Sequence, residues 1–159
     1  MAGKAKPIPD NHHSITPYLM VDGAAKAIEF YAKAFGAKEA LRLPMPDGRI
    51  GHAEVTIGDS RVMLADEYPE MNAKSPKAFG GSPVHIHLYV PDVDAIAKSA
   101  LAAGAKELRP VQNQFYGDRS GSFQDPFGHV WHVATHIEDV PPGEIAKRAA
   151  AAMAKKALN

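Results

Sequence analysis

The sequence predicts an α+β fold in which two tandem βαβββ modules build a curved eight-stranded mixed sheet, followed by a C-terminal helix. Three observations carry this. A 13-residue segment recurs at an offset of 68 residues, the same order of strand, helix and turn signals surrounds both copies, and an alanine-rich stretch follows the second copy.

Residues 27–39 read AIEFYAKAFGAKE and residues 95–107 read AIAKSALAAGAKE. They agree at Ala27/Ala95, Ile28/Ile96, Ala32/Ala100, Ala34/Ala102, Gly36/Gly104, Ala37/Ala105, Lys38/Lys106 and Glu39/Glu107. Alanine-rich helices match by chance more easily than most segments, so the flanks matter. Leu19-Met20-Val21 before Asp22 faces Leu88-Tyr89-Val90 before Asp92, and Arg49-Ile50-Gly51 faces Arg119-Ser120-Gly121. The pattern is that of a duplication.

Each copy opens on a short strand, at 15–21 and 84–90, rich in β-branched and aromatic residues. A helix follows, at 24–35 and at 92–103. Ala24, Ala27, Ile28, Tyr31 and Phe35 keep helical spacing, as do Val93, Ile96, Ala100 and Ala103. Asp22 and Asp92 are the candidate N-caps. Gly36 and Gly104 are the candidate stops, because glycine takes the left-handed conformation at little cost. Three strands complete each copy, at 38–43, 50–57 and 60–65 and at 106–111, 119–124 and 130–136. Asp47-Gly48, Gly58-Asp59 and Phe127-Gly128-His129 read as hairpin turns. The organisation expected is a polar tail (1–13), a first module (14–66), a linker with Pro69, Pro76, Gly80, Gly81 and Pro83 (67–83), a second module (84–138), and a C-terminal helix within 139–159.

Composition narrows the function. Lysine plus arginine equals aspartate plus glutamate, 18 each, so no basic excess exists to hold a phosphate backbone, and nucleic acid is not an expected partner. There is no cysteine, which excludes disulfides, thiol nucleophiles and thiolate metal sites. No run approaches the roughly 20 apolar residues of a membrane span, and the N-terminus lacks the apolar core of a secretory signal, so a cytoplasmic protein is expected. No serine sits in a nucleophile-elbow context, and no phosphate-cradling glycine motif appears.

Thr16-Pro17-Tyr18-Leu19 with Phe30-Tyr31 and Phe35-Gly36, Gly58-Asp59-Ser60, and Asp125-Pro126-Phe127-Gly128-His129-Val130-Trp131 resemble the vicinal oxygen chelate superfamily, the glyoxalase and bleomycin-resistance fold. Within it the chain is most similar to a phosphonate-operon-associated, glyoxalase-like subgroup. The resemblance covers residues 14–140. It implies paired βαβββ modules, a homodimer, and ligand sites assembled from both modules. It fixes no reaction, because the superfamily holds isomerases, dioxygenases, lyases and metal-free drug-sequestering proteins. Some relatives carry a label of ubiquinone-pathway methyltransferase, but nothing here resembles a methyl-donor nucleotide fold.

Metal-using members place one ligand on the first and last strand of each module. Carried onto this chain, those positions fall on Thr16, Met63, His85 and His132. Thr and Met are poor ligands for the divalent ions the superfamily uses, so a complete metal site is not expected. Strand alternation puts His52, Glu54, His85, His87 and His132 on the sheet face away from the helices, facing a shared groove. Tyr18 and Tyr116 join them as candidate groove residues. Two readings stay open: a homodimeric small-molecule-binding protein, and a metal-dependent lyase or isomerase using His85, His132 and Glu54, with Glu54 as general base or ligand. A third is an interaction role for the C-terminal helix. Trp131 reads as core, His12 and His13 as solvated, Asp118 with Arg119 as a loop-fixing ion pair, and His136 with Glu138 and Asp139 as the anchor of the C-terminal helix.

Overall fold

In a computed structural model, residues 5–157 are described; residues 1–4 of the expected tail and 158–159 of the expected helix lie outside them. The chain runs β1 (Tyr18–Val21), α1 (Ala24–Phe35), β2 (Lys38–Pro44), β3 (Ile50–Ile57) and β4 (Ser60–Asp66), then a 3-10 turn (Pro69–Met71) and α2 (Pro76–Phe79). The second module follows as β5 (His85–Tyr89), α3 (Val93–Ala103), β6 (Lys106–Asn113), β7 (Asp118–Gln124) and β8 (Val130–His136), and α4 (Pro142–Ala157) closes the chain. The eight strands form two four-stranded mixed sheets of identical topology, β1-β4-β3-β2 and β5-β8-β7-β6. In each, the first strand pairs parallel with the last and the remaining neighbours are antiparallel.

Both helices stop at the expected glycines, Gly36 (φ 67) and Gly104 (φ 111), whose left-handed backbone a side chain would strain. The N-termini differ. Asp92 caps α3 as its sequence predicts, accepting from Ala95 N at 3.0 Å. Asp22 does not cap α1. The carboxylate of Asp66, at the end of β4, accepts from Gly23 N and Ala24 N at 2.9 and 2.8 Å and from Ile50 N at 2.7 Å. One long-range side chain thus fixes the helix start and the entry to β3, while Asp22 reaches out to Lys77.

β1 starts at Tyr18 rather than at residue 15. Pro17 has no N–H to give a ladder, and Thr16 Oγ1 donates back to His13 O. The expected inter-module linker is also more ordered than a loop. Ser75 is buried, its N–H donates to Glu67 Oε1 at 2.6 Å, and Pro76 packs under Gly128, where an added Cβ would lie 2.9 Å from it.

α1 and α3 pack against one another, and one hydrophobic core runs through both modules. Val21, Ala53, Val55 and Leu64 face it from the first sheet; Phe123, Trp131 and Val133 face it from the second. Tyr31 and Phe35 of α1 reach across to Trp131, with ring centroids 5.4 and 4.7 Å apart. At this seam lies Asp125, which is buried. Its carboxylate accepts from Phe127 N and His129 N, forming the turn before β8, and from Tyr31 Oη and Trp131 Nε1 at 2.8 and 2.9 Å. The Asp-Pro-x-Gly motif is therefore a turn and a weld between modules at once. Burial and the neighbouring Asp125 carboxylate push the Tyr31 phenol well above its ordinary range. Among the described residues no helix is long and apolar enough to cross a membrane.

Candidate functional site

Alternation works as expected on the inner strands. Ala53, Val55 and Ile57 of β3, and Trp131 and Val133 of β8, turn to the helices and are buried. His52, Glu54, His132 and their neighbours are left on the opposite, concave faces. Val84, expected to open the strand at 84–90, precedes β5 and is 69% exposed; Ser82 satisfies its backbone from outside the sheet.

The ladders align the two concave faces row by row. In the first module Tyr18 pairs with Met63, Met63 with Glu54, and Glu54 with Leu41. In the second, His87 pairs with His132, His132 with Ser122, and Ser122 with Arg109. The duplication therefore places Tyr18 opposite His87, Met63 opposite His132, Glu54 opposite Ser122 and Leu41 opposite Arg109.

The first row is closed on itself. Tyr18 Oη and His52 Nδ1 hydrogen-bond at 3.0 Å, and burial raises the Tyr18 phenol. His52 Nε2 lies 3.4 Å from Glu54 Oε1. Glu54 Oε2 lies 3.5 Å from His12 Nε2 and 3.4 Å from Arg61 Nε, and the Glu54 side chain is 14% exposed. Arg61 Nε and Nη1 are buried and not aligned for a hydrogen bond. His12 is thus not solvated. It folds back over the sheet, and His13 Nε2 reaches Asp59 O.

The second row is open. His85 Nδ1 and His132 Nε2 share a hydrogen bond of 2.9 Å, and the other nitrogen of His132 meets Ser122 Oγ at 2.7 Å. Burial, then the neighbouring His85, His87 and Arg109, lowers the His132 pKa, so its imidazole favours the neutral form. In front of it lies a cavity of about 370 Å³ lined by His87, Arg109, Phe115, Tyr116, Ser122 and His132, among others. A second cleft of about 590 Å³ runs between β1 and β5 and takes in Tyr18, His85 and His87, so His87 belongs to both. Thr16, His52, Glu54 and Met63 line neither. Of the candidate groove residues, Tyr18, His85 and His87 share the cleft between β1 and β5, His87, Tyr116 and His132 share the second-module cavity, and Glu54 and His52 lie in a cluster on the first module. Arg109, Ser122, Arg61 and His12 escaped the sequence reading. Extending the repeat through all strands would have exposed Arg109 and Ser122, while nothing local marks Arg61 or His12.

The loop that brings Tyr116 to the cavity is held from behind. Gly117 O accepts from Ile137 N and Glu138 N, and Arg148 of α4 donates to both Glu138 oxygens and to Phe115 O. Asp118 and Arg119 do not pair. Buried Asp118 accepts from Tyr89 Oη and holds His136 Nδ1 at 2.7 Å, while Arg119 makes a two-pronged bridge to Asp94. These strands leave adjacent side chains on opposite faces, so neighbours in sequence find partners elsewhere.

The donor set can be tested against a divalent ion. Two nitrogens bound at about 2.1 Å and at a right angle lie about 3 Å apart, which the His85–His132 spacing matches. The set ends there. Thr16 Oγ1 is turned to His13 O, Met63 offers a thioether, and Glu54 is engaged in the first module. Among the described residues no three His, Cys, Asp or Glu converge on one point. The residues do not fit the four-ligand centre of the metal-using relatives.

A pair of βαβββ modules built on one common core defines a class of protein. Residues 11–133 match the Glyoxalase/Bleomycin resistance protein/Dioxygenase superfamily, and the chain belongs to it. An uncharacterized protein of Mycobacterium tuberculosis is 45% identical over 135 residues, covering 83% of this chain and 79% of its own. TioX from Micromonospora is similar in structure, with 26% identity and a TM-score of 0.61 over 79% of this chain and 99% of TioX. A Pseudomonas aeruginosa protein has 25% identity and a TM-score of 0.64 over 79% of this chain and 99% of that one.

Proposed function

We propose that this chain is a glyoxalase and bleomycin-resistance-type small-molecule-binding protein that works as a cytoplasmic homodimer, without a complete inherited metal site, and takes its ligand on the concave face of the second module. The observation that carries the reading is the cavity of about 370 Å³ in front of His132. Its volume lies in the range of small-molecule sites, and its polar groups converge from four strands and a braced loop. Placement in the phosphonate-operon-associated subgroup rests on the Thr16–Leu19, Phe30-Tyr31, Phe35-Gly36, Gly58–Ser60 and Asp125–Trp131 motifs together with the Gln114–Arg119 loop. Dimerisation is supported by unpaired outer edges on β1 and β5 and by exposed Ile15, Phe79 and Val84 beside them. The expected interface buries more than about 1,000 Å² in total.

The second reading, a metal-dependent lyase or isomerase, is favoured by the His85–His132 spacing and opposed by the placement of Glu54. Elemental analysis of protein purified without added metal decides between them. The expected result is no stoichiometric divalent ion. About one ion per subunit, lost in His85→Ala, would overturn the metal-free reading and promote the enzyme.

A further inference from the structure

The chain has six arginines. Arg42, Arg49, Arg61, Arg119 and Arg148 each lie within 4.0 Å of a carboxylate, at distances from 2.7 to 3.4 Å for their nearest partners. Arg109 has no such partner among the described residues. It stands at the wall of the second-module cavity, and no aspartate or glutamate lines that cavity. Its proximity to His132 is felt there as a positive neighbour. The equivalent face of the first module contains a carboxylate, Glu54, and surrounds it with Arg61, His12 and His52. At the position of Arg109 that module has Leu41, and at the position of Glu54 the second module has Ser122. Duplication has thus given one face an internal anion and the other a cation awaiting one.

We propose that the second-module cavity takes an organic monoanion, its acidic group held by the Arg109 guanidinium and its flat apolar part laid along Phe115 and Tyr116. This rests on the reading of that cavity as the ligand site. A guanidinium presents paired N–H donors that match a carboxylate oxygen pair. One cation without a counter-charge suits a single negative charge. A free inorganic ion would leave most of the 370 Å³ unfilled. Phe115 and Tyr116, at right angles with centroids 5.2 Å apart, offer an apolar corner to a planar group.

Three probes of one shape and different charge test this: benzoate, benzamide and benzamidine. Binding is followed on the ring signals of His87 and His132 by NMR. The expected order is benzoate tightest, by about tenfold or more over benzamide, with benzamidine weakest. Arg109→Leu should bring benzoate down to the level of benzamide and leave benzamide unchanged, and Arg109→Lys should retain part of the preference. Arg109 is exposed, so an unchanged melting temperature checks that each variant folds. Equal binding of benzoate and benzamide in the cavity, or a benzoate preference that survives Arg109→Leu, would overturn the anion while leaving the site. Probes that move only signals near Tyr18 and Phe79, with His132 still, would overturn the site and the anion together.

Discussion

The two modules share topology, strand register and helix caps in glycine, yet their concave faces behave in opposite ways. In the first, Tyr18, His52, Glu54, Arg61 and His12 satisfy one another, and the N-terminal segment lies across them. In the second, His85, His132 and Ser122 form a short hydrogen-bonded chain beside a cavity whose Arg109 has no carboxylate partner among the described residues. The scaffold dictates where side chains point, and residue type at aligned positions such as Glu54/Ser122 and Leu41/Arg109 sets the polarity of each face. One module carries an internal polar cluster and the other an opening.

The largest effect is expected where the modules are joined. Asp125→Ala removes the acceptor of buried Tyr31 Oη and Trp131 Nε1 and unties the turn before β8. A loss of about 3–5 kcal/mol is expected in urea unfolding. A loss below about 1 kcal/mol would show that Asp125 does not hold the two halves together.

Next is a pair of turn glycines. Gly117 (φ 101) has the backbone of Glu138 against the position of a Cβ, whereas Gly48 (φ 86) has open space there. Gly48→Ala should cost about 1–2 kcal/mol, the strain of a left-handed residue. Gly117→Ala should cost more, and should weaken ligand binding by moving Tyr116. Equal costs would mean that the second loop is not braced by the segment leading to α4.

Helix caps give a smaller contrast. Asp92→Ala should destabilise by about 1 kcal/mol, and Asp22→Ala by less than about 0.5 kcal/mol, because Asp66 holds the start of α1. A larger loss for Asp22 would reverse the assignment of the α1 cap.

The last effect is one of pH. Hydrogen bonds to Asp118 and then Asp139 raise the His136 pKa, while Tyr89 Oη occupies the other Asp118 oxygen. A raised imidazole contributes stability that is fully present below its unfolded value of about 6.5 and is lost as pH rises through the folded value. His136→Asn should therefore flatten the loss of stability above about pH 6.5. An unchanged pH profile would remove His136 as its source.

Much of this was legible in the sequence. The repeat located both modules, and helical spacing with Gly36 and Gly104 bounded both helices closely. Alternation put Val55 and Trp131 inside and Glu54 and His132 outside. What escaped depends on partners distant in the chain. Asp66 caps a helix 42 residues away, Asp118 turns to His136 rather than to Arg119, and His12 folds back onto Glu54. Alternation assigns a side chain to a face but does not say which faces share a cavity. Tyr18, His85 and His87 do share a cleft between the modules, while His52 and Glu54 lie in a first-module cluster and His132 at a second-module cavity.

The difference between the faces is tested most directly by recording the histidine ring signals of the intact protein while a pool of small organic acids and their neutral amides is titrated in. His87 and His132 should shift with saturable dependence on concentration while His52 stays in place. Movement of His52 with His87 and His132 unmoved would put the ligand on the first module and contradict the account.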